Sequence, residues 1–65
     1  MSPAEYLQRA VEESAWITVR TIDGRVLTGR PAPHRTDPDL IVIRTGSRGR
    51  PPVVHPADVE DVIFE

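Results

Sequence analysis

The stretch Trp16-Ile17-Thr18-Val19-Arg20-Thr21-Ile22-Asp23-Gly24-Arg25-Val26-Leu27-Thr28-Gly29-Arg30 decides the fold. Its first half has a period of two, with Ile17, Val19 and Thr21 on one face and Trp16, Thr18 and Arg20 on the other, in β-favouring residues. Asp23-Gly24 between two such runs is a strong short-range hairpin signal. The loop length follows from asking which register keeps like faces together. A two-residue loop pairs Ile22 with Arg25 and Val19 with Thr28, apolar against polar. A three-residue loop with Gly24 left-handed pairs Thr21 with Arg25, Val19 with Leu27 and Ile17 with Gly29, and is the register expected here. It turns Ile17, Val19 and Leu27 inward and leaves Trp16, Thr18, Arg20, Val26, Thr28 and Arg30 outside, with Gly29 as the place where the second strand bends.

Working outward, Ser2-Pro3-Ala4-Glu5 combines a serine N-cap, proline at the first helical position and glutamate three residues after the cap, which starts a helix. Leu7, Ala10, Val11 and Ser14 recur along it at helical spacing and form a narrow apolar stripe. Tyr6 is expected to pack on Met1 as a hydrophobic staple. Beyond the hairpin, the prolines 31, 33 and 38 make residues 31–39 read as an exposed loop that sustains no ladder. Leu40-Ile41-Val42-Ile43 is apolar at every position, as in a central strand covered on both faces, one of them by the helix. Gly46 to Arg50 reads as a turn, Pro56-Ala57-Asp58-Val59 as one tight turn, and Val62-Ile63-Phe64 as a closing strand. One mainly β domain over 1–65 is expected: a helix at about 3–13, then strands at about 16–22, 25–31, 40–45, 52–55 and 62–64.

A chain of 65 residues buries only about 60% of its unfolded surface, so its core is thin. There is no cysteine, which excludes disulfides and thiolate-bound zinc as staples. No run is long and apolar enough for a signal peptide or a membrane span, so a cytoplasmic chain with no membrane partner is expected. The net charge of −2 conceals a division: Arg20 to Arg50 holds seven arginines against three aspartates, whereas residues 51–65 hold four carboxylates and no cation. All eight cations are arginine, a planar donor suited to phosphate or carboxylate, although codon bias yields the same composition.

The strand running into Asp23-Gly24-Arg25, the bent strand bearing Gly29, the preceding helix, and the end Val53-Val54-His55-Pro56-Ala57-Asp58-Val59 together resemble the Sm-like and SH3-like small barrels from about Trp16 to Phe64. The resemblance implies a five-stranded barrel preceded by one helix. It also implies two kinds of partner, since Sm-like rings bind single-stranded RNA whereas the bacterial Rho-binding antiterminator, a single acidic barrel, binds a protein. The Sm signature has an Arg-Gly pair between its last two strands; here Arg48-Gly49 lies between strands three and four. Arg48-Gly49-Arg50-Pro51 also resembles the core of an AT-hook, which implies insertion into a narrow A·T-rich minor groove. The reading preferred for the same residues is a turn in which Gly46 and Gly49 supply special backbone angles and the arginines are solvated.

The candidate site is a basic patch of Arg30, Arg35, Arg44, Arg48 and Arg50 for RNA or DNA phosphates, with Trp16 as a stacking group or, alternatively, a lid packed by the helix. His34 and His55 lack companions at metal-ligand spacing, so no metal is expected. Ser2, Ser14 and Ser47 have no base placed by a motif, and no Gly-rich loop opens a helix, so neither catalysis nor a cofactor is expected. The sequence therefore points to a regulatory nucleic-acid-binding module, or to an adaptor that docks on a protein assembly, or on itself, through an edge strand.

Overall fold

The computed structural model describes residues 2–46 and 49–65. Met1, and with it the expected Tyr6–Met1 staple, lies outside the described residues, as do Ser47 and Arg48. One helix, α1 (Pro3–Glu13), precedes five strands, β1 (Ile17–Thr21), β2 (Val26–Pro33), β3 (Ile41–Arg44), β4 (Val53–Val54) and β5 (Val59–Phe64), with a single 3₁₀ turn, η1 (Pro56–Asp58), before the last. The strands form one antiparallel sheet in the order β4-β3-β2-β1-β5.

The helix starts as its sequence dictates. Ser2 is the N-cap, its Oγ accepts from the Glu5 amide at 3.3 Å, and Pro3 fills the first turn. It ends at Ser14, which takes a left-handed conformation at φ 52°. The Ala15 amide donates to the Ala10 carbonyl at 3.0 Å and the Ser14 amide to that of Val11 at 3.3 Å, the paired bonds of a Schellman closure.

The β1–β2 hairpin has the three-residue register: Val19 faces Leu27, Ile17 faces Gly29, and Gly24 is left-handed at φ 92°. The Gly24 amide donates to the Thr21 carbonyl and the Thr21 amide to that of Arg25, both at 3.0 Å, as in a type I turn closed by a glycine bulge. At Gly29 the strand changes partners. Residues 26–29 of β2 pair with β1, and residues 30–33 pair with β3. A Cβ on Gly29 would stand 2.4 Å from the Arg44 carbonyl oxygen, so glycine is required by the close approach of β3.

Residues 32 and 33, expected in the loop beyond a strand ending at 31, belong to β2. Pro31 pairs with Ile43 and Pro33 with Ile41. The His34 amide donates to the Leu40 carbonyl, so by strand alternation the Ala32 amide points toward β3 while the ring nitrogens of Pro31 and Pro33 point away. β1 has ended by then, so the prolines remove donors only from an edge that has no partner. A second correction concerns β5, which begins at Val59 rather than 62. Arg20 faces Asp61 but Thr21 faces Val59, so Glu60 is the extra residue of a bulge. The bulge lets Val59 and Val62, three apart, both turn inward.

The core is wholly aliphatic: Leu7, Ala10, Ile17, Val19, Ile41, Ile43, Val54 and Val59, with Val11, Ala15, Leu27 and Val62 packed against it. Buried Thr21 is the exception, and its hydroxyl bonds the Asp23 carboxylate and accepts from the Arg25 amide at 3.1 Å. α1 covers β2, β5 and η1. It does not roof β3: Ile41 and Ile43 are buried in the core, but Val42 on the opposite face is only half-buried and Arg44 is exposed. The expectation that β3 is covered on both faces is thereby corrected, and its open face makes the site described next. Among the described residues, no helix is long and apolar enough to cross a membrane.

Candidate functional site

On the open face, strand register sets Ala32 of β2 opposite Val42 of β3, and Val42 opposite Val53 of β4. These three side chains form an apolar row across three strands. One step along, Arg30 lies opposite Arg44. A cleft of about 670 Å³ opens over the row, walled by Pro33 and Pro51 and rimmed by Arg35, Arg44 and Arg50, with His34 and Thr36 at one end. Each strand brings its residue there for a local reason: period-two alternation carries Ala32 and His34, and Val42 and Arg44, to the same outer face.

The rim is electrostatically one-sided. Among the described residues, no carboxylate lines the cleft. Among the described residues the ion pairs are Arg9–Glu13 at 2.9 Å and Arg25–Asp23 at 3.3 Å, so Arg30, Arg35, Arg44 and Arg50 have no carboxylate within 4.0 Å. Like charges directly opposite across strands destabilise a ladder by roughly 0.2–1 kcal/mol, so the Arg30–Arg44 pair opposes folding slightly. Arg30 relieves part of this by turning onto Trp16, its guanidinium carbon 6.0 Å from the ring centroid.

The structure thus brings Arg35, Arg44 and Arg50 together, with Arg30 adjoining them across the ladder. Trp16 does not line the cleft; it is 43% exposed and reached through Arg30. Arg48 lies outside the described residues, while Gly46 at φ 83° and Gly49 at φ 98° have the left-handed angles of a turn. The apolar floor and the proline walls were not anticipated, because a continuous apolar run at 40–43 reads as covered on both faces.

Both histidines also have roles that sequence reasoning missed. His34 Nδ1 accepts from the Thr36 and Asp37 amides at 3.2 and 3.1 Å, holding the turn that presents Arg35. His55 Nδ1 caps η1 by accepting from the Ala57 amide at 3.1 Å. The signal was present: each stands two residues before a turn amide, the geometry in which a side-chain acceptor closes a loop. Among the described residues no three His, Cys, Asp or Glu side chains converge as a metal site. Neither a protein-family model nor a curated protein matches this sequence.

Proposed function

We propose that this chain is a small, non-enzymatic regulatory module that binds the phosphates of RNA or DNA in the cleft between β2, β3 and β4. The observation that carries the reading is the convergence of Arg35, Arg44 and Arg50 on one cleft that, among the described residues, no carboxylate lines. Three guanidinium groups without carboxylate partners favour an anion, and a phosphate lodged between them answers the charge of Arg44, which faces Arg30 across the ladder. The row Ala32, Val42 and Val53 supplies an apolar floor for a sugar or base, and a strand leaving past Arg30 meets the exposed ring of Trp16, on which a base can stack. The bacterial, cytoplasmic setting and the likeness to Sm-like barrels belong to the same reading.

The test is an amide NMR titration at low salt with a mixed single-stranded RNA and, separately, an A·T-rich duplex. Binding through three phosphates should weaken roughly 20-fold for a single strand, or roughly 40-fold for a duplex, between 50 and 200 mM salt. Shifts at Arg35, Thr36, Arg44 and Arg50 that vanish with salt, and that are lost when the three rim arginines become alanine, are the expected result. A spectrum unchanged by either ligand overturns the reading.

A further inference from the structure

The opposite half of the molecule carries an independent inference. β5 ends the sheet, and six residues, Val59–Phe64, run along that edge. The Glu65 amide donates to the Trp16 carbonyl at 3.0 Å. Alternation then directs the Ile63 and Asp61 amides toward β1 and the Val62 and Phe64 amides outward, away from any strand. The Val62 amide meets instead the Asp61 carboxylate, Oδ1 at 2.9 Å, a local acceptor in the place a neighbouring strand would occupy.

The flanks of this edge are apolar. Tyr6, Ile63 and Phe64 are exposed at 38%, 47% and 40%, and Tyr6 meets Phe64 edge-on with ring centroids 6.5 Å apart. In a chain whose core contains no aromatic side chain, these large groups remain at the surface beside the strand edge. Glu60, Asp61 and Glu65 give the strand its charge, and no cation lies within ion-pair distance of them among the described residues.

We infer that the β5 edge accepts an extended, basic segment of another protein as a sixth strand. Main-chain bonds to the outward groups of Val62 and Phe64 supply the pairing, Phe64 contacts the apolar side chains on one face of the incoming strand, and cations on its other face answer Asp61 and Glu65 beside Ile63. Charge decides against a second copy pairing through its own β5, since that would bring two acidic strands side by side. The inference uses no residue of the arginine cleft and stands or falls without it.

The test uses two end-capped hexapeptides, one alternating Lys and Val, the other Glu and Val, titrated into labelled full-length protein. The Lys–Val peptide should shift the Val62 and Phe64 amides, and the Glu–Val peptide should not. The double variant Glu60→Gln/Asp61→Asn should weaken binding about tenfold by removing two cross-strand charges. Phe64→Pro should abolish it, because Phe64 donates outward and its amide is not needed by β1. Phe64→Leu, which keeps the amide, should bind more weakly than the parent but more tightly than Phe64→Pro. Shifts confined to the cleft, equal binding of both peptides, or unchanged binding by Phe64→Pro in a protein whose remaining spectrum is intact would overturn the inference. Concentration-dependent shifts of Val62 and Phe64 without peptide would overturn it too, by giving the edge to a second copy.

Discussion

The two halves of this molecule share one strand and oppose each other in charge. On one side of Gly29, β2 pairs with β1 in a half roofed by α1, where the helix, β5 and the residue after it carry Glu5, Glu12, Glu13, Glu60, Asp61 and Glu65 against Arg9 alone. On the other side, β2 pairs with β3, no helix covers the outer face, and arginines rim an apolar floor. The difference teaches that a bend in one strand suffices to give a 65-residue chain two outer faces of opposite sign. The basic face has a concave floor suited to a ligand; the acidic one has an edge suited to a strand.

The comparison breaks most completely at Gly29. Gly29→Ala puts a methyl group against the Arg44 carbonyl, backbone that cannot swing aside, and should cost about 3 kcal/mol. A drop in melting temperature of roughly 12 °C or more is expected from thermal circular dichroism, using about 4–8 °C per kcal/mol for a domain of this size. A drop of only a degree or two would mean that the two halves are not joined through this approach.

Arg44→Thr sharpens the contrast between function and stability on the basic face. If the proposed nucleic-acid reading holds, it removes one phosphate contact and should lower the salt slope of binding by about one. By ending the like-charge pair with Arg30 it should also raise stability by roughly 0.2–1 kcal/mol in urea denaturation. A stability loss would show that the arginine is held for packing.

Ser14 closes the helix that covers the acidic half, and it does so in a backbone region that disfavours residues with a Cβ. Ser14→Gly should therefore stabilise the protein by about 1 kcal/mol, measured by the same denaturation curves, with no change at the arginine cleft or the β5 edge.

The smallest effect lies at the hairpin tip. The Thr21 hydroxyl donating to Asp23, with the Arg25 guanidinium beside it, holds that carboxyl below its ordinary value of 3.8. A folded value below the unfolded one means that the contribution is fully present above pH 3.8 and disappears as pH falls through the lower folded value. Asp23→Asn should flatten the loss of stability in acid slightly relative to the parent. Parallel curves for the two proteins would assign the acid sensitivity to other carboxylates.

Much of the fold was legible because its signals are local. The helix start at Ser2-Pro3, the three-residue loop around Gly24, the bend at Gly29 and the turn at Pro56 each follow from the chemistry of a few adjacent residues. The errors share one cause. Pro31 and Pro33 are tolerated because β1 has ended on that side, and Val59 joins β5 because a bulge at Glu60 corrects its phase. The open face of β3 follows from where the helix comes to rest. Among the site residues, the arginines were legible as a charge excess, whereas the floor of Ala32, Val42 and Val53 was not, since which face of an apolar run is covered depends on distant packing.

The sequence by itself determined the order and type of the elements, the hairpin register, and the separation of positive from negative charge along the chain. Those are consequences of side-chain period, capping and turn chemistry, which act over a handful of residues. Only the tertiary structure decided which edge nitrogens go without partners, which three arginines meet over one cleft, and which strand edge is left bare. Each of these depends on pairings between residues far apart in the chain, where the identity of the neighbour, and not the residue alone, sets what a side chain can do.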